Sequence, residues 1–261
     1  MGKITEALRK AAEDRLERID KIVRIREQKA LVIKKIGDSK VDPRLVTYFD
    51  PKALITEQYK ILRTNILSTN SKRPLKTLVV TSSLHSEGKT VTALNLAMVI
   101  AQSTQKPKVL VVDADMRRGR MAKYLGVDHP MGLTEILTDK IDTSEALFHT
   151  DMENLAFIAA GSVAENPAEL LGSNRMRQFL ADMKTQFDFI LIDTPPIIAV
   201  TDPGIVGALV DGILLTIEAG RTQRGVVRRA AELLEQSQSK IIGHVLTNIE
   251  YHLPEYIYRY L

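Results

Sequence analysis

At 261 residues, with 44% hydrophobic and 26% charged residues, the chain is long enough for one large α/β domain with an extension and too apolar to be disordered. It contains no cysteine, which excludes disulfides and thiolate metal sites. The whole formal charge of +4 lies in residues 1–50, where thirteen Lys/Arg meet nine Asp/Glu; such interleaving suits a solvated helix, and no nucleic-acid surface is expected.

In chain order, Ile4, Leu8, Ala12, Leu16, Ile19 and Val23 recur at three- and four-residue steps between charges. This predicts an amphipathic helical extension over 1–50. No apolar run approaches the ~18 residues that a membrane helix needs. The start lacks the apolar core of a signal peptide, and Glu6 stands where N-myristoylation of Gly2 would want Ser or Thr. The expectation is a cytoplasmic protein that reaches the inner face of a membrane only through a partner. Gly37-Asp38 and Asp42-Pro43 are loop signals. A helix is predicted over 52–69, at the start of a main domain covering 51–248.

From Lys76 the pattern changes. KTLVVTS, KVLVVD, DFILID, DGILLTIE and KIIGHVL are short, nearly continuous apolar runs rich in Val, Ile and Leu, as in strands buried on both faces. Helices are predicted between them over 89–103, 173–186 and 222–237. The alternation implies an α/β fold with a doubly wound, mostly parallel sheet, whose ligands bind beyond the carboxyl ends of the strands. A tail over 249–261 follows, with Tyr251, Tyr256, Tyr258 and Tyr260 among its residues; four of the seven tyrosines lie there.

The run TLVVTSSLHSEGKTVTALNLA reads as strand, loop, helix, and Ser83 to Thr90 has the GxxxxGK[ST] spacing of a P-loop NTPase, with Ser83 at the first glycine position. Backbone N–H groups at the helix start attract phosphate oxygens, and Gly88 lets the backbone approach them. Lys89 offers its charge to the outer phosphates, and the Thr90 hydroxyl can ligate Mg²⁺. The expected ATP-binding set is Ser83, Ser86, Glu87, Gly88, Lys89, Thr90 and Val91. VLVVDADMRR then places Asp113 and Asp115 at a strand end, with Arg117 and Arg118 following, and FDFILIDTPP places Asp193 at another. Carboxylates there can hold Mg²⁺ or its waters, although an aspartate in that position also caps the next helix.

Together these motifs resemble the bacterial tyrosine kinases of exopolysaccharide and capsule synthesis. The signature of that family is a Walker A loop, an A-prime motif ending in DxDxR and a Walker B motif ending in DxPP, here SLHSEGKT, VLVVDADMR and FILIDTPP. The resemblance runs over about 54–250 and includes EQYKILRTNI, GLTEIL, NPAELLGSNRM and TDPGIVGALVDGILLTIEAGRT. It implies an ATP-dependent protein-tyrosine autokinase with Lys89, Asp113 and Asp115 as catalytic residues, Asp113 being the base for the tyrosine hydroxyl. It further implies that Thr90, Asp115 and Asp193 hold Mg²⁺ and that the four tail tyrosines are the acceptors. Family members build rings through an ExxRxxR helix; here the positions are Glu57, Lys60 and Arg63, and lysine cannot reproduce the bidentate pairing of arginine. The partners implied are ATP and ADP, other copies of the chain in a homo-oligomer, and a separate membrane chain-length regulator as activator.

Two other readings fit parts of the pattern. A partition or division-site ATPase of the same fold carries a lysine early in the loop, where this chain has Leu84. A kinase-inactive, ATP-gated scaffold would account for the missing loop glycine and for Lys60.

Overall fold

In a computed structural model the chain is described over residues 40–69, 75–127 and 131–249. The predicted helix through Ile4 and Val23 and the tail tyrosines Tyr251, Tyr256, Tyr258 and Tyr260 lie outside the described residues. Among the described residues seven strands form one sheet: β1 (Thr77–Ser82), β2 (Val109–Asp113), β3 (Phe148–His149), β4 (Leu155–Ile158), β5 (Phe189–Asp193), β6 (Gly212–Glu218) and β7 (Ile241–Thr247). Their spatial order is β3-β4-β2-β5-β1-β6-β7, and all neighbours are parallel except β3 and β4.

Helices α1 (Val46–Phe49) and α2 (Leu54–Thr69) precede β1, and α3 (Lys89–Ala101) links β1 to β2. Three short helices, α4 (Met121–Leu125), α5 (Leu133–Leu137) and α6 (Thr143–Ala146), lie between β2 and β3. The pair α7 (Pro167–Gly172) and α8 (Asn174–Gln186) leads to β5, while α9 (Asp202–Gly207) and α10 (Arg224–Gln236) occupy the last two crossovers. The doubly wound, mostly parallel P-loop fold is therefore as the apolar runs predict, and the four predicted helices match α2, α3, α8 and α10 to within two residues at each end. Strands β3 and β4 escaped the sequence reading because two and four residues are too few for a periodicity.

Alternate strand residues feed two cores. Val79, Leu110, Val112, Ile190 and Ile192 pack with Met176, Phe179 and Leu234, while Leu78, Val80, Val109, Val111 and Leu191 pack with Leu94, Val99 and Ile66. Helix α3 is buried without interruption from Thr92 to Ala101, which explains why it is apolar all round rather than striped. Truncation of Leu96 to alanine there would cost about 2–5 kcal/mol.

Residues 40–50, which the sequence groups with the extension, pack onto α3. The Thr47 backbone N–H and hydroxyl both donate to Asn95 Oδ1, at 3.1 and 2.8 Å, and Asn95 Nδ2 donates to the Arg44 carbonyl at 3.0 Å.

Candidate active site

Strand register assembles the site. Asp113 on β2 stands directly opposite Asp193 on β5, and Asp193 stands opposite Val80 on β1, so the loops after three adjacent strands leave the sheet at one level. The phosphate loop follows β1 and turns sharply through Ser86 (φ 67°) and Gly88 (φ 84°). A non-glycine residue in the left-handed region costs about 1–2 kcal/mol, and at Ser86 that strain lies inside the motif itself.

Glu87 braces the loop. Its carboxylate accepts the Leu84 N–H at 2.7 Å and a short hydrogen bond from the Thr222 hydroxyl, while its carbonyl accepts the Thr247 hydroxyl at 3.0 Å. The ends of β6 and β7 thus fix the shape of a loop that begins at β1. Neither Thr222 nor Thr247 is a site residue in the sequence reading; the GRT after β6 carries the first of them, but spacing alone cannot reveal such a long-range contact.

Inside this frame Lys89, Thr90, Asp115 and Asp193 converge. Lys89 Nζ lies 3.1 Å from Asp115 Oδ2 and 3.5 Å from Asp193 Oδ2, and the Thr90 hydroxyl donates to that same Asp193 oxygen at 2.5 Å. Burial works to lower the Lys89 ammonium, but the charges of Asp193, Asp115 and Asp113 outweigh it and hold the pKa above the usual lysine range. Asp193 is pushed up, by burial first and by the Asp115 charge, against the pull of Lys89 and Thr90. Its second oxygen, Oδ1, is buried and has no hydrogen-bond partner among the described residues, and the same is true of the Ser83 hydroxyl.

An orphaned carboxylate oxygen beside a threonine hydroxyl is the hard-oxygen donor set that Mg²⁺ takes. Among the described residues no three His, Asp or Glu side chains form a closed metal cage. Mg²⁺ in P-loop sites takes one or two carboxylates and completes its shell with phosphate and water, so Thr90, Asp115 and Asp193 fit it.

Asp113 has a different environment. It is 1% exposed, and its two oxygens accept the N–H groups of Asp115 and Met121, both at 3.0 Å, so it caps the A-prime loop and the start of α4. Burial raises its pKa to about 7, with the Asp193 charge adding to the shift against those N–H groups and Lys89. Gly119 lies against it: a Cβ there would come within 3.1 Å of Asp113 Oδ2 and 2.4 Å of the Ala160 Cβ, so only glycine fits. On the outer side of Gly119 opens a cavity of about 810 Å³, lined by Lys123, Met131 and Glu135 among others. Arg117 reaches from the same loop to a fully buried Asp202 at the start of α9, with Nε at 3.0 Å and a second contact at 3.2 Å. Asp202 is a third residue whose role the linear motif does not disclose.

The positions with an expected ring role have partners within the chain. Glu57 and Lys60 pair at 2.7 Å, and Arg63 donates to the Val99 carbonyl near the end of α3 at 2.7 Å.

Comparison with known proteins gives a concordant result. The family model described as an AAA domain matches residues 76–241. The chain is 34% identical over 216 residues to the tyrosine-protein kinase YwqD of Bacillus subtilis, covering 83% of this chain and 90% of the relative. It is 31% identical to the putative tyrosine-protein kinase CapB of Staphylococcus aureus, covering 78% and 89%. Among solved structures, the kinase domain of the Escherichia coli tyrosine kinase ETK superposes with a TM-score of 0.74 at 31% identity, covering 80% of this chain and 83% of that one.

Proposed function

The chain belongs to the bacterial tyrosine-protein kinases of P-loop fold, and from that membership we propose that it is an ATP-dependent protein-tyrosine autokinase acting in polysaccharide synthesis or export. The observation that carries the proposal is the convergence of Lys89, Thr90, Asp115 and Asp193 within 3.5 Å at the carboxyl ends of β1, β2 and β5.

The chain's own residues divide the work. The N–H groups of Ser86 to Val91 and the Lys89 ammonium bind and orient the β- and γ-phosphates of ATP. Phosphate competes with Asp115 and Asp193 for the Lys89 charge, which a buried lysine held protonated can supply. Bound Mg²⁺ would neutralise charge on the phosphates, with Thr90, Asp193 and Asp115 supplying its protein contacts directly or through water. A tyrosine oxygen then forms a bond to the γ-phosphorus, the bond from that phosphorus to the bridging oxygen breaks, and ADP leaves.

Phenol is a weak nucleophile with a pKa near ~10, so its proton needs an acceptor. Asp113, whose pKa of about 7 suits a base at neutral pH, is assigned that role. Gly119 keeps the backbone closely packed beside the carboxylate, where any larger residue would press on Asp113 Oδ2 and Ala160. In this arrangement Asp113 both caps the loop and receives the proton.

Four further elements complete the reading: a homo-oligomer contacted through the α2 face of Glu57, Lys60 and Arg63, the tail tyrosines as acceptors, and a separate membrane regulator as activator. The fourth is a position at the inner face of the membrane through that partner; no helix among the described residues is long and apolar enough to cross a bilayer.

The partition-ATPase reading lacks its loop lysine: Leu84 occupies that position and contributes a backbone N–H to Glu87. Incubation of purified protein with Mg·ATP, followed by phosphotyrosine detection and mapping, tests the kinase proposal. ATP hydrolysis stimulated by DNA without phosphotyrosine would favour the partition reading, and nucleotide binding with neither activity would favour the scaffold.

A further inference from the structure

Four arginines gather at the start of α10. Arg224, Arg228 and Arg229 lie on its first two turns, and Arg221 lies just ahead of the helix. The side chains of Arg221, Arg228 and Arg229 are 57%, 81% and 55% exposed. Two acids partly balance them: Glu232, at 4.0 Å from Arg228 and 3.4 Å from Arg229, and Glu218, at 2.5 Å from Arg221. Arg224 is exposed and has no ion pair among the described residues. The other oxygen of Glu218 accepts Asn248 Nδ2 at 2.9 Å. One carboxylate therefore ties the arginine group to the root of the C-terminal tail, and Tyr251 follows only three residues later.

We propose that the tail, once phosphorylated on tyrosine, docks on the arginines of its own α10, which form a phosphotyrosine-binding surface. The proposal rests on the autokinase reading, because the unmodified tail has little charge: Glu250 and Glu255 are opposed by Arg259. Each phosphate adds roughly −1.5 to −2 at neutral pH and presents oxygens that a guanidinium fork can grip bidentately. Reach is ample. Arg224 to Arg229 span roughly 8 Å along the helix at ~1.5 Å per residue. The twelve residues from Asn248 to Tyr260 can cover up to ~40 Å at ~3.3 Å each. Tethering so close to the surface supplies an effective concentration of about millimolar order, enough for individually weak contacts to hold.

The consequence is a product latch. Phosphate competes with Glu218 for Arg221, and the docked tail is held on α10. A phosphorylated tyrosine is thereby kept out of any active site, and the loop is left clear for the next ATP.

The test compares the full-length protein with the triple variant Arg224→Gln/Arg228→Gln/Arg229→Gln, whose changes are all on an exposed helix face. Both are incubated with Mg·ATP, phosphate per chain is read by intact mass, and an added tyrosine phosphatase then removes it. Phosphorylated wild type is expected to lose phosphate about fivefold more slowly than the variant, roughly the product of three screened contacts each worth less than twofold. The difference should vanish near ~1 M salt. Equal incorporation with equal removal rates overturns the docking alone, whereas absence of phosphotyrosine in both proteins overturns the autokinase reading and the docking with it. Protection that weakens on dilution assigns the surface to a neighbour's tail and contradicts docking on the same chain. If the variant instead loses binding to phosphatidylglycerol vesicles while its tail is dephosphorylated at the wild-type rate, the surface is a lipid contact and the proposal is wrong.

Discussion

Thr247, the last residue of β7, donates its hydroxyl to the carbonyl of Glu87 in the phosphate loop at 3.0 Å. The final strand of the sheet is thus fastened to the loop that follows its first, and the Thr247 methyl lies 3.3 Å from where a Cβ at Gly88 would stand. A net hydrogen bond of about 1 kcal/mol corresponds to roughly a fivefold change in an equilibrium constant. Thr247→Val is therefore expected to weaken ATP binding about fivefold and Thr247→Ser to leave it near wild type, as read by titration with a fluorescent ATP analogue. Unchanged affinity in the valine variant would mean that Glu87 keeps its place without β7.

Lys89→Met is expected to abolish Mg·ATP turnover while the circular dichroism spectrum stays that of the wild type. Lys89 compensates Asp115 and Asp193 in the nucleotide-free protein, so the variant should also lose thermal stability, and more so at pH 8 than at pH 5. The sign follows from Asp193: without the ammonium its already raised folded-state pKa rises further, and a buried acid with a raised pKa destabilises the fold increasingly as pH rises. Turnover close to wild type would remove the phosphate-loop assignment.

Asp113→Asn separates the cap from the base. The folded pKa of about 7 lies above the unfolded value near 3.8, so this group's contribution to stability is greatest below pH ~4 and declines as pH rises through about 7. Asparagine does not ionise. The variant's melting temperature relative to wild type should therefore improve between pH 4 and pH 8, whatever it loses by presenting an amide to the Met121 or Asp115 N–H. A base also predicts a ~10²- to 10⁴-fold fall in phosphorylation rate with ATP affinity nearly intact. Normal phosphorylation with the same stability profile would leave Asp113 as a cap only.

The motif residues were legible because their chemistry is local. A strand, a tight loop and a helix are consecutive in sequence, and apolar runs such as VLVVD and FILID announce strands that end in carboxylates. What could not be read is whatever depends on the order of strands. Asp113 and Asp193 are eighty residues apart in sequence and become direct neighbours only because β5 inserts between β1 and β2. The braces at Thr222 and Thr247 arise in the same way, from β6 lying beside β1 and β7 beside β6. Arg117 is conspicuous beside the aspartates, yet nothing in the sequence pairs it with Asp202.

Helix α2 offers a test of assembly against simple packing. Arg63 donates to the Val99 carbonyl, one of the last-turn acceptors of α3 that has no intrahelical donor, so it holds α2 to the body of the chain. Arg63→Ala should lower unfolding free energy by about 2 kcal/mol, in keeping with a charge-assisted hydrogen bond. Glu57→Ala removes only an exposed pair with Lys60 and should hardly change stability. If α2 forms the contact between copies, Glu57→Ala will reduce the oligomer on sizing by light scattering while leaving the melting curve in place. A wild-type size distribution in both variants would place the contact elsewhere.

The tail prediction concerns which active site phosphorylates it. Because Thr247 touches the phosphate loop, the tail leaves the sheet beside its own nucleotide site, and its length of about twelve residues spans up to ~40 Å. Both its own site and a neighbour's are within that range, so reach cannot decide between them. Proximity at the root argues against self-transfer for the first acceptor: Tyr251 is only four residues beyond Thr247, and such a short segment must reverse direction sharply to enter the site that anchors it. Transfer between subunits is the expected outcome, and four phosphates per tail, if brought together in a ring, would repel and loosen it. The deciding mixture combines a Lys89→Met chain bearing an intact tail with an active chain whose Tyr251, Tyr256, Tyr258 and Tyr260 are all replaced by Phe. Phosphotyrosine should appear on the inactive chain, at a rate that rises with protein concentration in the range where the oligomer assembles. Should that chain stay unlabelled while wild-type protein labels itself at a rate per molecule independent of concentration, transfer is within one chain. Light scattering before and after phosphatase treatment then measures the loosening, and a larger assembly after phosphate removal is the expected result.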